Sequence, residues 1–238
     1  MARFGLALVD FFFPPRCPFC GASSEDGHRP CPLCLSQIHF SSHPRCPRCG
    51  LSFETDLGED HLCSGCISEE RYFARARSIA TYGGLMAEVI SRFKYRNASY
   101  LARPLSALLT EYRDPDFSFS SFDLVLPVPL HPQRLRKRGF NQSNLLARWI
   151  GRVHSIPLDF TTLRRIRATQ PQTQLSGPER ITNIRGAFQV QRPQVVAEKN
   201  LLLIDDVFTT GATVQECSKV LLKAGASQVE VLTLVRAV

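Results

Sequence analysis

Four Cys-x-x-Cys pairs constrain the first third of this chain more than any other feature. Eight of its 9 cysteines form the pairs Cys17/Cys20, Cys31/Cys34, Cys46/Cys49 and Cys63/Cys66. Each pair presents two thiolates to one ion, and two pairs complete a tetrahedral four-thiolate zinc site. The spacing therefore predicts two structural zinc sites. Sequential sites, 17/20/31/34 and 46/49/63/66, are simpler than interleaved ones, but the spacing does not fix the pairing.

The zinc sites also set the expected domain boundary and compartment. About fifty residues around the four cysteine pairs contain few apolar side chains and need metal to hold a fold. We therefore divide the chain into 1–72 and 73–238. The apolar run Phe4 to Phe13 is too short to span a bilayer and predicts a short helix packed on the protein. Without an export segment the chain is expected in the cytoplasm, where disulfides are rare. Cys217 has the helical spacing of a core residue.

The remainder of the chain alternates apolar strands with helices. Because strands buried on both faces and followed by helices are typical of parallel sheets, the pattern predicts an α/β fold. Leu145, Trp149 and Val153 fall on one face of the third predicted helix. The predicted strands are 76–82, 123–128, 201–204 and 229–235, and the predicted helices are 84–95, 100–112, 142–153 and 212–224.

The strongest site candidate follows the predicted strand 201–204. Asp205 and Asp206 come first, and two adjacent carboxylates at a strand end can accept hydrogen bonds from neighbouring hydroxyls or hold Mg²⁺. A turn rich in hydroxyls follows, and free N–H groups at a helix N-terminus favour a phosphate. The combination predicts a sugar-phosphate site. The turn comprises Thr209, Thr210, Gly211, Ala212 and Thr213.

This acid-and-turn segment resembles the phosphoribosyl-pyrophosphate (PRPP) motif of type I phosphoribosyltransferases. The stretch from Pro127 to Ser143 is similar to the long signature of the ComF/GntX family. Gln172 to Ser176, Asn183 to Phe188, Phe93 to Tyr95 and the four cysteine pairs also fit that family. The resemblance therefore covers nearly the whole chain.

The resemblance implies a type I phosphoribosyltransferase-like parallel sheet flanked by helices and preceded by a double zinc-ribbon module. It also implies Mg²⁺ with PRPP as ligand, and a link to natural competence or to the use of external DNA as a nutrient. In that framework Val128, Pro129 and Leu130 form the pyrophosphate loop, and residues 164–185 form the mobile loop that closes over PRPP. Lys94 is a further candidate for phosphate contact.

Positive charge is concentrated beside these motifs. Residues 131–185 hold eleven of the chain's 29 Lys+Arg and only two acids, Asp159 and Glu179. Leaving pyrophosphate needs two or three cations, and the surplus suits single-stranded nucleic acid, although an idle basic surface is the alternative. Phe140 is expected to pack under the loop rather than stack on bases, and His131 to be structural rather than catalytic. The candidate DNA contacts are Arg134, Arg136, Lys137, Arg138, Arg164 and Arg167.

Two functions fit these observations. The first is a cytoplasmic protein that handles single-stranded DNA during uptake, together with other DNA-uptake proteins, and carries a Mg-PRPP site. The second is an active phosphoribosyltransferase that transfers phosphoribose to an unidentified acceptor. Residues 73–120 show no base-reading signature, which weakens the second reading. No catalytic residue is assigned.

Overall fold

A four-stranded parallel sheet forms the centre of the protein. The computed structural model describes residues 14–54, 58–170 and 177–237. The sheet contains β1 (Arg75–Thr81), β2 (Leu124–Pro127), β5 (Asn200–Phe208) and β6 (Gln228–Arg236), in the order β1-β6-β5-β2. A separate antiparallel pair joins β3 (Leu163–Arg165) to β4 (Phe188–Val190). The predicted parallel α/β sheet is confirmed, whereas the short β3–β4 pair was not predicted.

Helices cover both faces of this sheet. The four predicted helices are confirmed within a few residues, and Gly225, at φ +94°, follows the last of them. A helix over Pro132–Arg138 is also present, although the sequence analysis predicted none there. The helices are α1 (Pro32–Ser36), α2 (Ser64–Ser68), α3 (Gly84–Tyr95), α4 (Ala102–Thr110), α5 (Pro132–Arg138), α6 (Gln142–His154), α7 (Gly177–Ile184), α8 (Pro193–Val196) and α9 (Ala212–Lys223).

The packing face of α6 differs from the one that the apolar spacing suggested. Leu146, Ala147 and Ile150 are fully buried, whereas Val153 is 54% exposed. The buried stripe contains small and polar residues as well, which hides it from a search for large apolar side chains. Cys217 is fully buried in the core, as its helical spacing predicted.

The zinc-binding segment covers the free edge of β1. The Thr81 N–H donates to the His39 carbonyl at 2.8 Å, and the Ser41 N–H donates to Ile79 at 2.9 Å. Further along the strand, the Ala76 N–H donates to the Arg48 carbonyl at 2.8 Å. An exposed strand edge is a template for unwanted pairing. The residues before 73 therefore complete the sheet as well as holding metal.

A buried ionic group joins the same two parts of the chain. The Asp114 carboxylate accepts hydrogen bonds from Arg45, Tyr112 and Arg77, the last at 3.0 Å. Burial alone would raise the pKa of Asp114. The Tyr112 hydroxyl, the Asp116 N–H and the two guanidinium groups reverse that effect and lower the pKa to about 2. Asp114 is therefore ionised and paired at neutral pH.

The sequence analysis predicted a short amino-terminal helix and no membrane-spanning segment. The predicted helix over Phe4 to Phe13 lies outside the described residues. Among the residues that are described, no helix combines the length and apolar character needed to cross a membrane.

Candidate functional site

The acids Asp205 and Asp206 lie inside strand β5 rather than after it. The expected strand ended at residue 204, but β5 continues to Phe208 because β6 still pairs with it, Asp205 opposite Thr233 and Val207 opposite Val235. On the other side, β2 ends at Pro127, which pairs with Ile204. The two acids therefore project past the end of β2, at the carboxyl edge of the sheet, where ligands of such sheets bind.

Lys94 reaches this edge from the last turn of α3. Its Nζ lies 2.8 Å from Oδ1 of Asp206, and both side chains are largely buried. The sequence analysis named Lys94 as a phosphate contact. The structure brings it to the acids and places its charge directly on a carboxylate. Lys94 thus neutralises one of two adjacent acids that would otherwise repel each other.

The first turn of α6 supplies the remaining partners. The Ser143 hydroxyl donates to Oδ1 of Asp205 at 3.0 Å. Asn141 caps α6 by accepting from the Ser143 N–H, and its amide donates to the Val128 carbonyl at 3.0 Å. Asn141 and Ser143 are buried. We call Lys94, Asn141, Ser143, Asp205 and Asp206 the edge cluster.

The surroundings of Asp205 change the pKa of its carboxyl group. Burial and the neighbouring Asp206 carboxylate raise the pKa of Asp205 to about 7. Lys94, the Asp206 N–H and the Ser143 hydroxyl act in the opposite direction but do not outweigh them. Near neutral pH Asp205 therefore exchanges its proton readily, and a divalent cation or a hydroxyl donor would favour its ionised form. Carboxylate oxygens of this kind are the ligands that Mg²⁺ prefers.

Residues Thr209–Thr213, which we call the phosphate turn, lead from β5 into α9. Gly211 has φ +77°, a left-handed conformation that glycine adopts without strain. A Cβ at Gly211 would lie 2.6 Å from Cζ of Phe208, so the ring packs directly under the turn. The Thr210 hydroxyl accepts from the Ala212 N–H at 3.4 Å. The N-terminus of a twelve-residue helix then faces the turn, an arrangement that favours a phosphate.

The predicted pyrophosphate loop begins next to the acids. The Val128 N–H donates to the Ile204 carbonyl at 2.9 Å, one residue before Asp205. Asn141 holds the Val128 carbonyl, as described above, and Leu130 is half-buried. Val128, Pro129 and Leu130 therefore follow β2 at the same sheet edge as the acids. Their contact with PRPP stays a prediction.

The segment 164–185, expected to close over PRPP, starts in β3 and ends just before β4. Arg167 donates to the carbonyls of Asn183 and Arg185, and Gln170 and Asn183 exchange two hydrogen bonds. These contacts bring the two ends of the segment together. Residues 171–176, which include the whole predicted motif 172–176, lie outside the described residues.

The six candidate DNA contacts have different surroundings. Arg134 is half-buried and donates to the Thr169 carbonyl at 3.0 Å, and burial with the charge of Arg138 lowers its pKa. Arg167 is committed to two carbonyls. Arg136, Lys137 and Arg164 are exposed. Arg138 donates to Gln142 at 3.2 Å and lies 5.1 Å from the ring centre of Tyr95. The exposed pair on α5 is thus best placed to meet a polymer.

Phe140 and His131 have the structural roles that were expected. The Phe140 ring lies 5.8 Å from that of Phe93 and packs against the core. Nδ1 of His131 accepts from the Gln133 N–H and caps α5. The exposed aromatic side chain in this region is Tyr95, 62% exposed, at the end of α3.

The eight paired cysteines form two separate four-thiol groups. The groups are sequential, 17/20/31/34 and 46/49/63/66, with all Sγ atoms of a group within 4.8 Å of one another. Cys17 and Cys34 lie 3.7 Å apart, and Cys49 and Cys63 lie 3.6 Å apart. Sulfur atoms bonded tetrahedrally to zinc at about 2.3 Å are about 3.8 Å apart, so both groups fit the metal. The preferred pairing is confirmed.

Backbone donors prepare these thiols for metal. Burial alone would raise the pKa of Cys17, but the N–H groups of Cys20, Cys31 and Phe19 lower it to about 6. In the second group, burial likewise opposes ionisation of Cys46, and the N–H groups of Cys49, Cys63 and Arg48 bring its pKa to about 7. Each group therefore contains a thiol that ionises near neutral pH, and thiolate is the metal-binding form.

Known proteins share both the cysteine pattern and most of the chain. A family model described as a double zinc ribbon domain matches residues 8–67. Competence protein F of Haemophilus influenzae is 32% identical over 179 residues, covering 74% of this chain and 78% of that protein. The chain belongs to the competence protein F family. This confirms the resemblance to the ComF family predicted from the sequence.

Two further relatives of this chain are named for DNA utilization and for competence. DNA utilization protein YhgH of Escherichia coli is 33% identical over 177 residues, covering 73% of this chain and 77% of that protein. Competence protein ComFC of Bacillus subtilis is 33% identical over 162 residues, covering 67% and 63% respectively. The family therefore includes proteins named for competence and proteins named for DNA utilization.

Solved structures overlap with this family member only loosely. Glutamine PRPP amidotransferase of B. subtilis, complexed with ADP and GMP, aligns with a TM-score of 0.39 and 21% identity, covering 57% of this chain and 26% of that one. A hypoxanthine phosphoribosyltransferase of Staphylococcus aureus gives a TM-score of 0.32 and 18% identity, covering 60% and 65%. Both scores are low, and neither carries an argument about activity.

The family member also contains site residues that the sequence analysis did not identify. Ser143 and Asn141 belong to the edge cluster, and Gln142, 1% exposed, donates to the Phe93 carbonyl at 3.2 Å. Their signal was present as a run of four polar residues, 141–144, at the start of an amphipathic helix. A helix start is usually polar because of capping, so the run alone did not distinguish a cap from a site.

Proposed function

We propose that this family member handles single-stranded DNA during DNA uptake and binds Mg-PRPP at the edge cluster. The observation that carries the proposal is the meeting, at one sheet edge, of two acids, a lysine and the phosphate turn. Charged residues that only made the protein surface polar would be exposed, whereas these side chains are largely buried and paired with one another. The names of the relatives, competence protein F and DNA utilization protein, support the DNA part of the proposal.

Each part of the edge has a distinct proposed task. Asp205 and Asp206 accept hydrogen bonds from the two ribose hydroxyls and would hold Mg²⁺, which would supply positive charge to the pyrophosphate. The N–H groups of Thr210 to Thr213 hold the 5′-phosphate at the start of α9. The loop Val128 to Leu130 faces the pyrophosphate. Lys94 keeps the acids compatible when the ligand is absent.

The proposed DNA contact is electrostatic and lies beside this site. Arg136 and Lys137 on α5 neutralise phosphates, and Arg164 extends the positive surface onto β3. Tyr95 stacks on a base in this proposal, because the Tyr95 ring is exposed and Arg138 lies over one of its faces. Phe140 packs against the core and does not stack on bases. The residues 1–72 and 73–238 are proposed as the zinc-binding and ligand-binding units respectively. We place the protein in the cytoplasm, where its thiols remain reduced and where other DNA-uptake proteins would deliver the strand.

Calorimetry with Mg-PRPP tests the ligand assignment. We expect wild-type protein to bind PRPP and Asp205→Ala/Asp206→Ala to lose binding, while zinc content stays at about two per chain. Arg136→Ala/Lys137→Ala serves as the control and should bind PRPP as wild type does. Wild-type protein that ignores PRPP would reject the site assignment.

A pyrophosphate-release assay distinguishes binding from catalysis. The alternative function, an active phosphoribosyltransferase, uses the same edge and differs only in having an acceptor. PRPP is supplied with each nucleobase and with single-stranded DNA, and free pyrophosphate is measured. Release that depends on one acceptor and disappears in Asp205→Ala/Asp206→Ala would replace the scaffold reading with an enzyme. Absence of release with intact PRPP binding supports the scaffold.

A further inference from the structure

A continuous set of contacts runs from the second zinc group, Cys46, Cys49, Cys63 and Cys66, to the phosphate turn. Arg236, the last residue of β6, donates from Nη1 to the Cys49 carbonyl at 2.8 Å. The same guanidinium lies 4.6 Å from the ring centre of Phe208. The Phe208 ring in turn packs under Gly211. One arginine therefore touches the backbone of a metal ligand and the ring that supports the turn.

A second contact holds the turn from the other side. Gln215, in the first turn of α9, accepts from the Tyr72 N–H at 3.0 Å and donates to the Glu70 carbonyl at 2.7 Å. The Phe73 ring meets Phe208 edge-on at 6.1 Å. These three partners follow Cys66 within a few residues. The segment that closes the second zinc group thus also fixes the start of α9.

The first zinc group is attached to another part of the protein. Arg92 of α3 donates to the carbonyls of Phe19 and Pro18, the latter at 3.1 Å. An arginine therefore donates to backbone carbonyls in each zinc group, Arg92 in the first and Arg236 in the second. Of these two arginines, Arg236 also contacts Phe208, the residue that precedes the phosphate turn. The two metal groups are similar in chemistry and different in what they hold.

We infer that the second zinc group positions the phosphate turn through Arg236, so that metal binding and PRPP binding strengthen each other. This inference rests on the proposed PRPP site. A metal-bound Cys49 has a fixed carbonyl, which fixes the Arg236 guanidinium, the Phe208 ring and the N–H groups above it. Linkage is reciprocal: a bound phosphate that orders the turn must also hold the second zinc more tightly. Arg236 is a positioning residue, because it contacts the Cys49 backbone and the Phe208 ring rather than the metal or PRPP.

Zinc release from wild-type protein tests this linkage directly. Zinc is transferred to a coloured chelator with and without saturating Mg-PRPP, and the time course is resolved into two phases. Cys20→Ser removes a ligand of the first group, so the zinc that remains identifies the second group's phase. We expect PRPP to slow that phase about 5–20-fold and to leave the other unchanged. An equal effect on both phases, or none on either, overturns the inference.

Arg236→Met isolates the proposed link. It removes the guanidinium that donates to Cys49 and lies over the Phe208 ring, and it leaves an unbranched apolar side chain. We expect it to retain two zinc ions, to bind PRPP about 5–20-fold more weakly and to lose the PRPP effect on zinc release. Lys223→Met is the control, because it removes an exposed cation from the far end of α9 and should change neither quantity.

The outcomes separate the inference from the proposed function. Wild-type protein that binds no PRPP rejects the PRPP site itself. Wild-type protein that binds PRPP, with Arg236→Met unchanged in affinity and in PRPP-dependent zinc release, rejects only the link. If Arg236→Met does not fold, Arg236→Lys keeps the charge but cannot both donate to Cys49 and cover Phe208. That variant should show the same weaker binding, and a wild-type affinity there also rejects the link.

Discussion

Helix α5 ends three residues before Asn141 of the edge cluster, and the two regions are opposite in character. In the edge cluster, each charged group has a partner within 3.0 Å, and the side chains are largely buried. On α5, Arg136 and Lys137 are exposed to solvent. A preorganised, desolvated cluster suits one small ligand of fixed shape, whereas exposed flexible cations suit a polymer bound through its repeating phosphates. The two regions should therefore respond independently to mutation.

The largest effect is expected where the edge cluster loses its cation. Lys94→Met leaves two buried acids without their positive partner, and breaking a buried pair costs about 3–5 kcal/mol. We expect a marked fall in melting temperature that Mg²⁺ partly restores, with a larger Mg²⁺ effect than in wild type. Thermal melts with and without Mg²⁺ measure this. The exposed-lysine control Lys137→Met should melt as wild type, and equal melting of both variants would contradict a paired Lys94.

Removing the exposed cations of α5 should change DNA binding alone. Arg136→Ala/Lys137→Ala is expected to reduce the slope of log affinity for single-stranded DNA against log salt by up to about two contacts, and adding Arg138→Ala by up to about one more. PRPP affinity should not change. Titrations of a fluorescent oligonucleotide at several salt concentrations give the slope. An unaltered slope would remove α5 from the DNA site.

Tyr95 is expected to contribute a smaller, salt-independent part of DNA affinity. Tyr95→Ala should weaken binding by about 1–3 kcal/mol, the range for one stacked base, without changing the salt slope. Tyr95→Phe keeps the ring and should bind as wild type. If Tyr95→Phe is as weak as Tyr95→Ala, the hydroxyl rather than the ring is responsible and stacking is wrong.

The smallest expected effect is a pH dependence that belongs to the edge cluster. Because the folded protein raises the pKa of Asp205 to about 7, its contribution to stability is complete below the ordinary carboxyl range and is lost as pH rises through 7. Urea unfolding from pH 5.5 to pH 8 should therefore show a loss in wild type that is reduced in Asp205→Asn. Parallel pH profiles of the two proteins would show that Asp205 does not titrate in this range.

The sequence contained the strands, most helices and the cysteine grouping for identifiable physical reasons. Apolar runs such as 201–204 are buried on both faces, and the Cys-x-x-Cys spacing matches one metal ion. The sequence did not show that β5 continues through Asp205 and Asp206, because pairing with β6 outweighs the low strand propensity of aspartate. It also did not reveal α5, although Pro132 after a capping His131 is a helix-start signal.

The sequence alone named the acids, the turn and Lys94 as parts of the candidate site, but not the supporting residues Asn141 and Ser143. Asp205, Asp206 and the phosphate turn are adjacent in sequence, so one motif identifies them. Ser143 and Lys94 come from two other helices, and only tertiary packing brings them to the acids. Which cations are exposed likewise depends on packing: Arg134 and Arg136 are two residues apart, yet Arg134 donates to a carbonyl and Arg136 faces solvent.

The backbone hydrogen bonds that join strand β1 to His39, Ser41 and Arg48 have a consequence for synthesis of the protein. The metal-binding segment leaves the ribosome before the sheet that it covers, so zinc-loaded ribbons are ready when β1 emerges. A chain made during zinc shortage has a sheet whose outer strand lacks its cover, and bare strand edges pair with other chains. We therefore expect newly made protein to aggregate more when zinc is scarce.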